Sequence, residues 1–319
     1  MVGKKRFSLG EFLKTHLGYF LFRFFTFCVK CLPIESLSSY GEKLGLLGFH
    51  LLRGWRRVAF ANLNLALGKE KNKDEIHWIC RELFKNMGRD MLEVYRCPDF
   101  NDSYFKTLVR FEGTQHLKDA LNQGKGVIAL SAHLGNFPLM GARLAREGYP
   151  SSFVTRDPEN PKIAKAITSL RDAVGLETIH DEPRMACVSR CFKALKENRI
   201  LVLQIDQNAP ATEVWVDFFG YLVPTFKGPV LFSMRTGAPI LPMFMRRNSN
   251  NLHQITIHPP FTLNITGNAE QDITSNTAQL TKLIEAAIRE YPEQWLWNYR
   301  RFKRARDIGT GERLFQKHP

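Results

Sequence analysis

Residues 126–147 constrain the fold most. The run Gly126-Val-Ile-Ala-Leu-Ser131 is short, apolar, β-branched at its start and preceded by a turn signal, Gln123-Gly124, so it reads as a buried strand. The chain then reaches His133, passes Gly135-Asn136 and enters a helix-like stretch over 139–147. Open α/β sheets collect their chemistry just beyond the carboxyl ends of such strands, before the following helix. His133 stands at that lip, and imidazole is the side chain best suited to moving a proton near neutral pH. A histidine beside a turn is also found as a structural residue with its hydrogen bonds satisfied, so position alone leaves both roles open.

The rest of the chain repeats this alternation. Strands are expected over 108–111, 126–131, 152–155, 200–205, 214–218, 240–244 and 254–258, and helices over 114–122, 139–147, 160–174, 184–197, 228–236 and 275–290. No internal repeat, low-complexity segment or Pro/Gly-rich linker divides the 319 residues. The expected architecture is an α/β domain over 61–310 with a mostly parallel sheet flanked by helices. A helical, membrane-associating region over 1–60 precedes it and a basic tail over 311–319 follows. With 44% hydrophobic residues and 24 Phe, the chain can bury a sizeable core.

Upstream, Asn72 and Glu75 have capping-box spacing, and Ile76, Ile79, Leu83, Met87, Met91 and Val94 follow at helical intervals, a packing stripe. The six cysteines show no metal-ligand pattern; Cys28-Val-Lys-Cys31 lies alone in an aromatic segment and reads as apolar filler. No metal or cofactor is expected, and no disulfide framework is indicated, which fits a reduced, cytoplasm-facing protein.

The net charge of +14 is a property of the two ends. Residues 1–60 carry ten Lys and Arg against three acids, and residues 296–319 carry seven against two, so only two net charges remain for the middle. Such ends meet a polyanionic surface. Between them lies a very aromatic run, 12–34, with Phe20, Phe22, Phe24, Phe25 and Phe27, interrupted by Lys14, His16, Arg23 and Lys30. No uncharged stretch reaches the ~18–20 residues of a spanning helix. A helix lying in or dipping into the interface of an anionic membrane fits, against the alternative of a core helix with a few exposed charges. A second apolar helix is expected over 36–52. Nucleic acid would also match the charge, but no reader motif is present.

Ser-Ala-His-Leu-Gly-Asn-Phe (131–137) resembles the motif of the bacterial lipid A biosynthesis lauroyl/myristoyl acyltransferases, in which His is followed after four residues by an acid. Other blocks of that family recur in order. Arg56-Arg57-Val58 precedes Asn62-Leu63. Val154-Thr-Arg-Asp-Pro-Glu-Asn-Pro161 contains Arg156. Leu203-Gln-Ile-Asp-Gln-Asn208 is followed by Phe218-Phe219-Gly220. Thr225-Phe-Lys-Gly-Pro229 precedes a helix, and Pro292-Glu-Gln-Trp…Arg300-Arg-Phe-Lys303 closes the series. Two positions depart: Pro138 stands where the acid belongs, and Tyr299 where the family usually has His.

The resemblance implies transfer of a fatty acyl chain from acyl carrier protein, or acyl-CoA, to a hydroxyl of a lipid A-type precursor at the cytoplasmic face of the bacterial inner membrane. The enzyme is expected to be a monomer. His133 becomes the general base, with Arg156 steadying charge and Asp206 orienting the imidazole or the acceptor. Asn136, Gln207, Lys227, Arg300 and Arg301 are the candidates for substrate binding. Each has a plainer role available: Arg156 as a surface Arg paired with Asp157, Asp206 as a turn cap, Gly228-Pro229 as an ordinary helix start after Lys227. The Trp and Tyr of the last block, beside Arg and Lys, suit a membrane interface. Pro138 leaves three possibilities. Another carboxylate serves His133, Asp206 before Glu147 or Asp157; a backbone carbonyl orients it; or the protein binds acyl lipid without catalysis. A different acceptor, a lysophospholipid or ornithine lipid, is the other enzymatic alternative.

Overall fold

The computed structural model describes residues 9–314, so the basic start at 1–6 and the end of the tail at 315–319 lie outside it. The helices are α1 (Leu9–Lys30), α2 (Leu37–Leu51), α3 (Arg53–Leu67), α4 (Lys73–Arg96), α5 (Asp102–Leu108), α6 (Thr114–Leu121), α7 (Phe137–Arg146), α8 (Pro161–Ala173), α9 (Arg184–Lys196), α10 (Gly228–Thr236) and α11 (Ala269–Glu290). The strands are β1 (Val109–Glu112), β2 (Val127–Ser131), β3 (Ser151–Thr155), β4 (Glu177–His180), β5 (Ile200–Gln204), β6 (Val214–Phe218), β7 (Tyr221–Thr225), β8 (Ile240–Arg247), β9 (His253–Ile257) and β10 (Arg306–Asp307).

Seven strands form one sheet in the order β1-β9-β8-β2-β5-β3-β4, parallel except for the β8–β9 pair. β2 lies inside the sheet and is buried along its whole length, as a run of Val, Ile, Ala and Leu with helices on both faces must be. The expected α/β class and mostly parallel sheet are those observed. One expected strand belongs elsewhere: β6 pairs with β7, which pairs in turn with β10, in a separate three-stranded antiparallel sheet. The hairpin turn there is Phe219-Gly220, both at positive φ, 52° and 79°, the left-handed pair a two-residue hairpin needs.

The N-terminal helices pack on the α/β domain. α4 begins with the expected capping box, Asn72 accepting from the N–H of Asp74 and Glu75 while Glu75 accepts from the N–H of Asn72. α2 and α4 meet through glycine. A Cβ on Gly45 would stand 2.1 Å from the Phe84 oxygen, and one on Gly88 2.1 Å from the Gly41 oxygen, so the two backbones touch directly. Among the described residues no single helix is long and apolar enough to cross a membrane; α1 and α2, bent by 107° at their junction, meet the length and composition only as a pair.

Candidate active site

The register of the central strands decides what faces His133. β2 and β5 run parallel with Val127 opposite Ile200 and Ser131 opposite Gln204, an offset of 73 residues. Two residues past the last pair, the same offset sets His133 opposite Asp206. The imidazole Nδ1 lies 2.9 Å from Asp206 Oδ1, and the backbone N–H of His133 donates to Oδ2 at 2.7 Å. The indole N–H of Trp295 donates to the same Oδ2 at 2.7 Å. Asp206 is buried, while 15% of the His133 side chain reaches solvent, with the Phe137 ring edge-on beside it. Burial alone would raise the Asp206 carboxyl; the His133 charge and the hydrogen bonds from His133 and Trp295 outweigh it and hold the group below the usual carboxylate value.

With Nδ1–H given to an ionised Asp206, the free lone pair of the ring is on Nε2, and the amide nitrogen of Gln207 lies 2.9 Å from it. The arrangement is an imidazole whose lone pair is oriented by a carboxylate and met by a polar amide, a geometry able to accept a proton. Arg301, expected to bind substrate, is instead fully buried. Its guanidinium donates to the Gln207 carbonyl and the Pro224 carbonyl at 2.7 Å each, and to Thr225 Oγ1 at 2.6 Å. Desolvation lowers its pKa to about 10, opposed by the charge of Asp206. Arg301 therefore holds the segment that carries Asp206 and Gln207.

The turn between His133 and α7 is fixed residue by residue. Leu134 bridges to Trp295, and the N–H of Gly135 donates to the Gln294 carbonyl at 3.0 Å. Gly135 has φ +58°, and a Cβ there would come within 2.4 Å of the Met245 oxygen, so the turn admits only glycine. Asn136 caps α7 by position but not with its side chain. It is fully buried, and its amide donates to Glu93 Oε2 at 2.8 Å, so its side chain is engaged within the protein.

Glu93 also takes two bonds from Arg247, at 2.7 and 2.8 Å, and one from His253 at 2.8 Å, while Arg247 reaches Asp90 at 2.6 Å. Burial would raise Glu93; the charges of His253 and Arg247 more than reverse it and keep the carboxylate ionised. Asp90, Glu93 and His253 are close enough to share a cation, but the Arg247 guanidinium already bonds both carboxylates and supplies the positive charge.

The last sequence block also differs from the membrane-interface expectation. Trp295 and Trp297 are core residues, edge to face with centroids 4.6 Å apart. Asn62 from the N-terminal block donates to the carbonyls of Trp297 and Tyr299 at 2.7 and 2.8 Å, so the two distant blocks meet under the site. Arg156 is three-quarters exposed beyond β3, paired with Asp181 at 2.7 Å and not with Asp157. Asp157 lies against His180, 2.9 Å from its Nδ1, and Glu147 pairs with Arg143 at the far end of α7, so neither is the carboxylate on His133. Lys227 is half-buried at the start of α10, and Arg300 is exposed. Pro138 is the second residue of α7, where its missing N–H costs no helical bond. The residues missed from sequence are Trp295 as the second donor to Asp206 and Glu93 as the partner of Asn136. A carboxylate on the buried side of a helix was the only signal for the latter.

The family model for bacterial lipid A biosynthesis acyltransferases matches residues 8–304. The chain is 24% identical over 277 residues to the lipid A biosynthesis lauroyltransferase of Escherichia coli K12, covering 85% of this chain and 87% of that protein. It is 26% identical over 283 residues to the palmitoleoyltransferase of the same strain, covering 87% and 88%. It is 22% identical over 221 residues to the phosphatidylinositol mannoside acyltransferase of Mycolicibacterium smegmatis, covering 68% and 70%. With the model spanning nearly the whole described chain, this protein belongs to the bacterial lipid A biosynthesis acyltransferase family.

Proposed function

We propose that the protein transfers a fatty acyl chain from an acyl thioester, carried by acyl carrier protein, to a hydroxyl of a lipid A-type glycolipid, with His133 as general base and Asp206 in place of the acid missing at 138. The observation that carries the reading is the Nδ1–Asp206 contact of 2.9 Å, made by a carboxylate that two further N–H donors keep ionised. Asp206 fixes the tautomer and stabilises the imidazolium that forms, the role of the third member of a triad. The acceptor hydroxyl displaces the Gln207 amide from Nε2 and gives up its proton there as its oxygen attacks the thioester carbonyl. The new C–O bond forms, the C–S bond breaks, and the imidazolium returns the proton to the leaving thiolate. A general base of this kind contributes about 10²–10⁴-fold. Arg156 and Arg300, both exposed cations, take the acceptor's anionic groups in this reading, and Lys227 adds a cation beside a helix N-terminus.

The membrane seat is α1 at the cytoplasmic face of the inner membrane. Leu17, Phe20, Leu21, Phe24 and Phe27 follow at helical spacing and are each more than half exposed, an apolar stripe that water does not favour. Mannoside acyltransferases among the relatives support a second reading of the acceptor alone, another glycolipid or lysolipid hydroxyl. The test is acyl transfer by detergent-solubilised protein from labelled acyl carrier protein to a panel of lipid A precursors, mannosides and lysolipids, beside His133→Ala. A labelled product on the lipid A precursor that vanishes in the mutant is expected. Product on another lipid transfers the assignment to that acceptor. No product from folded, lipid-binding protein overturns the catalytic reading.

A further inference from the structure

Asn160 sits where the proposed membrane helix meets the loop of Arg156. Its Oδ1 accepts from the backbone N–H of Lys162 at 3.0 Å and of Ile163 at 3.4 Å, capping α8. Its Nδ2 donates to the Thr15 carbonyl of α1 at 2.9 Å. One side chain thus closes the start of one helix with its acceptor and holds another helix with its donor. Aspartate or serine caps as well, but neither supplies a second, amide-length donor. One turn further along α1, the Lys162 ammonium lies over the Tyr19 ring, 5.6 Å from its centroid.

These polar contacts matter because α8 has no fully buried residue; Ile163, Ile167 and Leu170 are only half-buried, so apolar packing holds it weakly. The loop between β3 and α8 is likewise held by polar contacts: Arg171 donates to Thr155 Oγ1 at 3.1 Å, Arg156 pairs with Asp181, and Arg171 lies 3.8 Å from Asp157. The other end of α1 is anchored firmly. Arg96 donates to the carbonyls of Val29, Lys30 and Leu32 at 3.2, 2.6 and 2.8 Å, and Phe22 and Phe25 both meet Tyr95 edge-on. α1 is therefore a strut fixed at its C-terminal end to α4 and tied near Thr15 to the Arg156 loop, with its apolar stripe outward.

We infer that Asn160 couples the seating of α1 on an anionic bilayer to the order of the loop that carries Arg156, making it a positioning residue for acyl transfer at the membrane. The inference rests on the membrane seat proposed for α1. When the stripe enters the interface, α1 stops fluctuating, and the Asn160 bond passes that restraint to residues 155–163. A soluble thioester alone, without a bilayer, meets a looser loop.

The experiment is hydrogen exchange of the full-length protein with and without vesicles of phosphatidylglycerol and phosphatidylethanolamine, comparing the parent with Asn160→Asp and Asn160→Ser. Both variants keep an acceptor for the α8 cap and remove the donor to Thr15, and serine does so without adding charge. In the parent, vesicles are expected to slow exchange in α1 and, by at least about fivefold, in 155–163. In both variants the slowing in α1 is expected to remain and that in 155–163 to be lost, together with vesicle stimulation of acyl transfer. Equal slowing of 155–163 in parent and variants overturns the coupling. So does a parent whose α1 is protected while 155–163 is unchanged. A parent whose α1 gains no protection overturns the membrane seat itself, and the coupling with it, whatever the activity assay gives.

Discussion

At the scale of residues, the proposed chemistry rests on one carboxylate, Asp206, standing in for the motif acid that position 138 lacks. Asp206 accepts from the imidazole, from the His133 backbone and from Trp295, so its charge is compensated although it is buried. Asp206→Asn keeps the shape but loses the charge, and kcat should fall about 10²–10⁴-fold, measured at saturating thioester. Its lowered pKa also fixes the sign of a stability effect. The contribution is complete above the ordinary carboxyl value near 4 and is lost as pH falls through the lower folded value. Melting temperature should therefore drop between about pH 5 and pH 2 more steeply in the parent than in Asp206→Asn. Pro138→Glu restores the motif acid, yet Nδ1 has one proton and Asp206 already takes it. The rate should change less than about threefold; a gain of about tenfold or more would show that His133 is poorly oriented as it stands. His133 and Asp206 were legible because each follows a buried apolar run. That they face each other was not, because the 73-residue offset is a property of strand pairing. The partners of Asn136 and Arg301 were hidden for the same reason: their polarity is visible in sequence, and the buried groups they bond are not.

At the scale of elements, α4 connects the motif turn to the N-terminal helices. Its glycine contact with α2 leaves no room for a methyl, so Gly45→Ala should cost about 1–3 kcal/mol in urea unfolding. On its buried side Glu93 holds Arg247, His253 and Asn136 together. Glu93→Ala leaves the buried Arg247 guanidinium to Asp90 alone and takes the partner from His253 and Asn136, and should cost about 3–5 kcal/mol, with loss of activity following from the freed Asn136 turn. The capping box and apolar stripe of α4 made the helix plain in sequence, whereas β4 and β7 were not recognised. β4 is four residues with Glu177 and His180 at its ends and only Thr178 and Ile179 buried. β7 contains Pro224, which ordinarily excludes a strand interior; it is tolerated because β10 pairs only with Tyr221 and Leu222, leaving Pro224 on an open edge.

At the scale of the whole molecule, charge and apolar surface coincide at the N-terminal end. α1 keeps its Phe and Leu stripe outward while Arg96 and Asn160 hold its inner side to the domain. Phe20→Glu with Phe24→Glu should release the protein from anionic vesicles in a flotation assay, and the parent should stay bound in high salt because burial of apolar surface is not screened. Binding that fades with salt in the parent and survives the double change would instead make the contact electrostatic.

The most direct measurement is a double-mutant cycle on kcat with His133→Ala, Asp206→Asn and the two combined, in protein shown to be folded. If Asp206 acts through His133, the double variant should be no slower than His133→Ala alone, since residues that act as one unit are not additive. Losses that multiply, with Asp206→Asn slowing the His133→Ala protein as much as it slows the parent, would contradict the pair and return the search for His133's partner to the start.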